Sequence, residues 1–298
     1  MKHLTYAILF SILTLFGVTT SCPQAAVTDK ITVPLSDPSQ PAMLKVNIMN
    51  GSITVKGYSG KDVLVEARSP DNIEEDEGDR VDDEKLAKRR GMRRITNTGS
   101  GLSVEEDHNE VSVGAGWRNM GNTLALTIQV PVNSSMKLST LNGGDITVTG
   151  VNGDLELSNM NGGITLTDIS GSVVADALNR DIRVVFNGVD PKKSMSFSSM
   201  NGDIDVTLPS TVKATLRLKN DMGEIYSDFD MKIDNATSRV ENNARGKMEP
   251  FRVPDNKRGR VGPFKVTLEK LMTGKINGGG AEITFKNFNG DIYIRKGK

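Results

Sequence analysis

Any chemistry in this chain would have to come from its carboxylates. Asp145, Asp154, Asp203 and Asp291 each follow an Asn-Gly or Asn-Gly-Gly corner. If those corners stack, the aspartates align along an edge, where they could bind calcium or act in pairs on a polysaccharide. The spacing argues for less. "NGGDITVTG" lacks the second spaced glycine of the calcium-binding nonapeptide, and neither Ile164 nor Val173 is preceded directly by Asp. The favoured reading is that Asp or Ser after Asn-Gly satisfies backbone amides at the corner.

Other reactive groups are few. His108, in the polar string "EEDHNE", is the only histidine beyond the N-terminal leader and reads as a surface residue. A Ser-His-Asp triad would depend on it, and the chain has no G-x-S-x-G elbow. The single cysteine, Cys22, lies at the end of the leader, so neither a His/Cys zinc site nor an internal disulfide is expected. The expectation is a non-enzyme with no catalytic residues, no metal and no cofactor.

The elements that position these groups are strands. From Leu141 to Gly171 the sequence "LNGGDITVTGVNGDLELSNMNGGITLTDISG" turns about every nine or ten residues, with an Asn-Gly or Ser-Gly pair at each turn. Turn positions fall at Asn142, Asn152, Asn161, Ser170, Asn179, Asn187, Asn201 and Asn220-Asp221, and the theme returns at Asn277 and Asn289. Asn and Gly suit corners of positive φ. Between corners the apolar residues alternate: Ile146 and Val148, Leu155 and Leu157, Ile164 and Leu166, Ile204 and Val206. Each pair is expected to face an interior, while Thr147, Glu156, Thr165 and Asp205 face water.

Two all-β architectures fit. Asn-Gly is also a hairpin turn, so an antiparallel β-meander or sandwich is one. The other is a single-stranded β-solenoid of about twenty residues per coil, with capping strands. Alternate corners at Asn142, Asn161, Asn179 and Asn201 recur at that superperiod. A meander has no reason to distinguish odd corners from even ones, so the solenoid is favoured. These four asparagines are then expected to stack as a hydrogen-bonded ladder.

Three regions flank or interrupt the pattern. Residues 1–22 read as a signal: Lys2 and His3 precede an apolar run from Leu4 to Val18, too short for a comfortable membrane span. Small residues before Cys22 resemble a bacterial lipoprotein signal, with Thr19 where such signals usually carry Leu. Lipidation at Cys22 would tether the chain to a membrane; cleavage near Ser21 or Ala26 is the alternative. Residues 23–130 read as strands and a cap, interrupted by the charged excursion 71–94, a solvated loop or an electrostatic docking site. Residues 131–298 read as the repeat, with the strands before Pro131 closing one end and "DIYIRKGK" the other. Trp117, in "GAGWRNMGN", reads as a binding anchor or a lid on the end of the core.

The run "IQVPVN", the repeat from Leu138 to Val173 and the closing "NGGGAEITFKNFNGDIYI" together resemble the bacterial putative-adhesin repeat domain, a family largely of unknown function. The resemblance covers most of the chain from about Lys45. It implies an exported β-solenoid, often lipoprotein-anchored, and brings no catalytic residues.

Composition agrees with a binding module more than with an enzyme. The 37 basic and 37 acidic residues balance, which gives no reason to expect nucleic acid. Aromatic residues make up 5% of the chain, low for a sugar cleft. The expected role is a non-enzymatic cell-envelope protein, an adhesin or surface-binding module contacting a protein or glycan surface. It would be lipid-anchored, most simply at the outer membrane, or free in the periplasm or medium. The alternatives are a periplasmic partner in envelope signalling or assembly, using residues 71–94, and a polysaccharide-acting enzyme.

Overall fold

The computed structural model describes residues 27–69, 101–115, 123–237 and 270–297. These residues form 19 strands and no helix. The first six are β1 (Val27–Val33), β2 (Ala42–Tyr58), β3 (Val63–Ser69), β4 (Leu102–Asp107), β5 (Glu110–Ala115) and β6 (Leu124–Pro131). The repeat follows with β7 (Ser134–Asn142), β8 (Ile146–Thr149), β9 (Asn152–Asn159), β10 (Ile164–Ala177), β11 (Ile182–Val189), β12 (Met195–Asn201) and β13 (Ile204–Leu208). The last six are β14 (Ala214–Asn220), β15 (Ile225–Ser227), β16 (Lys232–Thr237), β17 (Lys270–Ile276), β18 (Ala281–Asn289) and β19 (Ile292–Lys296). Cys22, the excursion 71–94 and Trp117 lie outside the described residues.

Within the repeat, each strand pairs in parallel with the segment about twenty residues further along the chain. Ile146 lies beside Ile164, Ile164 beside Ile182, and Ile182 beside Ile204. Ile53 of β2 extends this column at one end, and Ile292 and Ile225 extend it at the other. The five inner isoleucines, from Ile146 to Ile292, are fully buried. A facing column runs through Val46, Leu138, Leu157, Ala175, Phe197, Phe285 and Leu218. Its rings Phe197 and Phe285 stack with centroids 5.3 Å apart. The two columns meet as one dry core, each large side chain stabilising it by about 1.5–3 kcal/mol through burial. All eight apolar residues that alternation assigned to the interior are buried.

Antiparallel pairing is confined to the two ends. At one, β2 carries β5 and β6 on its outer side, β4 pairs with β5, and β3 and β1 extend from β6. Pro131 is the last residue of β6, beyond its antiparallel pairing with β3, so its missing N–H breaks no bond there. At the other end β17 pairs with β14, and β16 with β17.

The C-terminal strand is not the cap that its basic tail predicted. β19 pairs with β13 on one side and β15 on the other, and β18 lies likewise between β12 and β14. The reason is compositional: "AEITFKNFNGDIYI" carries a complete inward apolar set. Ile283, Phe285, Ile292 and Ile294 are all at most 1% exposed, and they need neighbours on both sides.

The corners also differ from expectation. Asn142, Asn161, Asn179 and Asn201 are absent from the residues of positive φ. Their glycines serve close approach as well as turning. A Cβ on Gly162 would lie 1.9 Å from the carbonyl oxygen of Gly144 in the neighbouring rung. Gly143, at φ +78°, is the opposite case, with open space around it and a backbone conformation that glycine adopts most easily.

Candidate functional site

At the asparagine corner, stacking places equivalent side chains one strand spacing apart. The Asn161 amide nitrogen donates to Asn142 Oδ1 at 2.9 Å, Asn179 to Asn161 at 2.8 Å, and Asn201 to Asn179 at 3.1 Å. A second, inner line binds backbone instead. The Asn159 amide donates to the carbonyls of Gly144 and Gly163, while its oxygen accepts from the Gly162 N–H. Asn220 acts in the same way at its own rung, and the Asn287 amide donates to the Gly202 carbonyl. These residues hold the corner; they leave little capacity for a ligand.

The aspartates are divided between two edges. Asp145, Asp203 and Asp291 fall on one line, joined by Asp181 and Glu224. Each of the four aspartates of that line accepts the backbone N–H of the next rung: Gly163 on Asp145, Asp203 on Asp181, Asp291 on Asp203 and Glu224 on Asp291, at 2.8–3.0 Å. The amide they satisfy belongs to the neighbouring rung and not to their own turn. Asp154 sits at the opposite corner, bound by Lys193 at 2.7 Å and by the Ser172 hydroxyl at 2.7 Å. Hydrogen bonds from these two groups hold its carboxyl below the usual aspartate range. Among the described residues no group of three His, Cys, Asp or Glu side chains is placed to hold a metal ion. His108 stands at the β4–β5 turn with φ +51° and a side chain 91% exposed, against Asp107.

The described surface concentrates chemically distinctive groups on the face of the short strands β8, β11, β13, β19 and β15. Pairing lines up Thr147, Thr165, Arg183, Asp205, Tyr293 and Tyr226 in one outward row. The last two rings stack with centroids 5.2 Å apart and planes within 9°, close to the strand spacing of about 4.8 Å that positions them. The Arg295 guanidinium lies over the Tyr293 ring at 5.4 Å and donates to Asp205 at 2.7 Å. Tyr293 donates its hydroxyl to Asp291 at 3.0 Å, and Tyr226 donates to Glu224. Because each phenol gives its proton to a carboxylate, both resist ionisation, and Tyr226 is pushed up to about 12. Tyr226 is nonetheless 48% exposed, since β15 pairs with β19 alone.

The arrangement presents an aromatic platform with fixed acceptors and one cation beside it, at the end of a rigid face. Sequence reasoning overlooked it because the overall aromatic content is low. The available signal was local: "EIY" at Glu224–Tyr226 and "DIY" at Asp291–Tyr293 repeat an acid, an inward isoleucine and an outward tyrosine.

No family model matches the chain. No curated protein matches it either. Among solved structures, it is similar to a putative cell adhesion protein from Clostridium sporogenes, with 13% identity and a TM-score of 0.46 over 92% of this chain and all of that one.

Proposed function

We propose that this chain is a non-enzymatic binding protein of the bacterial cell envelope. In this reading the stacked parallel rungs are a β-solenoid, and its short-strand face contacts a glycan through Tyr226 and Tyr293. The observation that carries the reading is the exposed tyrosine stack, flanked by Arg295 and a line of carboxylates. A pyranose ring offers C–H groups to an aromatic face and hydroxyls to nearby charged groups, and both are present here. Rigidity supports the same reading. The face is backed by the buried isoleucine column, so its groups are held in place before a partner arrives, which lowers the entropy lost on binding. The leader and Cys22 supply the route to the envelope and the tether to a membrane.

The test is titration calorimetry with soluble peptidoglycan fragments and with lipid-free envelope polysaccharide. Tyr226→Ala and Tyr293→Ala are each expected to weaken binding at least tenfold while the thermal unfolding midpoint moves little. Unchanged affinity in both variants would remove the platform from the function. Fractionation of cells carrying Cys22→Ala tests the tether: the wild type should sediment with membranes and the variant should be released.

A further inference from the structure

A second surface, independent of the tyrosine platform, runs along the asparagine corner. The residue before each corner asparagine is apolar and points outward: Met49, Leu141, Met160, Leu178, Met200 and Phe288. Strand pairing puts these six in one row. Five of them are 38–47% exposed, with Leu141 partly so. A shallow trough of about 460 Å³ follows the row from Met160 to Phe288, walled on its far side by Ser158, Asp176, Ser198 and Lys286. Ridge and trough thus lie side by side along the stack. An unbroken apolar row of this length exceeds the scattered exposure normal for a monomer's surface.

We propose that this corner is a homodimer interface, in which each copy's Met/Leu/Phe ridge fills the other copy's trough. Two features select a second copy as the occupant. The ridge has the strand spacing as its period, and another ridge of the same chain repeats at that spacing over the same length. At 38–47% exposure of residues of roughly 200 Å² each, the ridge exposes on the order of 450 Å² per copy, and the trough walls add to it. Doubled, this reaches the roughly 1,000 Å² that a specific interface needs.

Charge then chooses between the two possible two-fold axes. Asp176 lies on the trough side of Leu178, and Arg180 lies just beyond the ridge. Neither makes an ion pair among the described residues. An axis parallel to the stack brings like rungs together and sets the trough side of one copy against the far side of the other, so Asp176 meets Arg180 twice. A perpendicular axis sets trough against trough and Asp176 near Asp176. The parallel axis is therefore the one assigned, and the contact is isologous and closed. It leaves the short-strand face free.

Sedimentation equilibrium of the purified full chain tests this. The wild type should dimerise at micromolar concentrations. Met160→Asp with Met200→Asp should raise the dissociation constant at least tenfold, with circular dichroism and thermal midpoint unchanged because both side chains are exposed. Asp176→Arg and Arg180→Asp should each weaken association, and combining them should restore it. A wild type that stays monomeric up to about 100 μM, or dimers indifferent to the methionine pair, would overturn the interface. Failure of the charge swap to rescue would overturn the parallel axis and the pairing built on it.

Discussion

The two corners of a rung solve the same problem differently. At the asparagine corner the same side chain returns on successive rungs and bonds to its own kind, so each rung is tied to the next. At the opposite corner the residues change from Asn133 to Asn152 to Ser170 to Gly188. The bend there is made by backbone, with Gly150 at φ +70°, Asp168 at +57° and Gly171 at +117°. Among the described residues one amide-to-amide bond appears there, from Asn152 to Asn133 at 3.0 Å, with an ion pair from Lys193 to Asp154 beyond it. Side-chain repetition fixes register between rungs, whereas backbone geometry fixes only the shape of each rung. Identity along a column is needed at one corner and dispensable at the other.

The contrast can be broken most sharply at a glycine. Gly162→Val forces a side chain into the carbonyl of Gly144, and a loss of about 4 kcal/mol or more is expected in urea unfolding. Gly143→Ala, in open space at positive φ, should lose only about 1 kcal/mol. Similar losses from both would mean that close approach does not set the corner. Asn159→Ala comes next. It leaves two part-buried carbonyls and one buried N–H without their side-chain partner, so about 2 kcal/mol is expected from the same measurement. Asn161→Ala, at the exposed ladder, should lose about 1 kcal/mol, and Asn152→Ala at the other corner less than half of that. Equal effects would erase the distinction between the corners.

The smallest effect is a pH dependence at the variable corner. Asp154 is held below its ordinary value of 3.8 by Lys193 and Ser172. Its contribution is therefore complete above that value and disappears as pH falls through the lower folded-state value. Because the pair is about half exposed, screening keeps the effect small. Asp154→Asn should lower stability slightly at neutral pH, leave it almost unchanged at strongly acid pH, and so flatten the acid side of the profile. A change of the opposite sign would show that the pair is not formed in solution.

Much of this was legible in the sequence because a period-two pattern between Asn-Gly corners leaves few options. Ile146, Ile164 and Ile204 had to point inward together, and the roughly twenty-residue superperiod favoured parallel stacking. What was hidden depended on distance in the chain. Nothing local says that Ile292 stands beside Ile204, because the segment between them is as long as several rungs. The reason for the corner glycines was also hidden, since a turn and a close approach call for the same residue. At the candidate site, the carboxylates appeared as one class in sequence. Whether a corner belongs to one edge or the other depends on counting odd and even turns, which separates Asp154 from Asp145, Asp203 and Asp291.

The position of β18 and β19, inside the stack although last in the chain, bears on biosynthesis. Rungs from β2 to β13 can zip up in the order in which they are translated. β14 and β15 cannot join them, because the strands that must lie between are not yet made. The final residues therefore act as a completion signal. A chain truncated before Ala281 would leave β12 and β13 with a bare parallel edge, open to pairing with another molecule. Such truncation products should aggregate or be degraded, and a stop codon just before Ala281 should be as damaging as an early one.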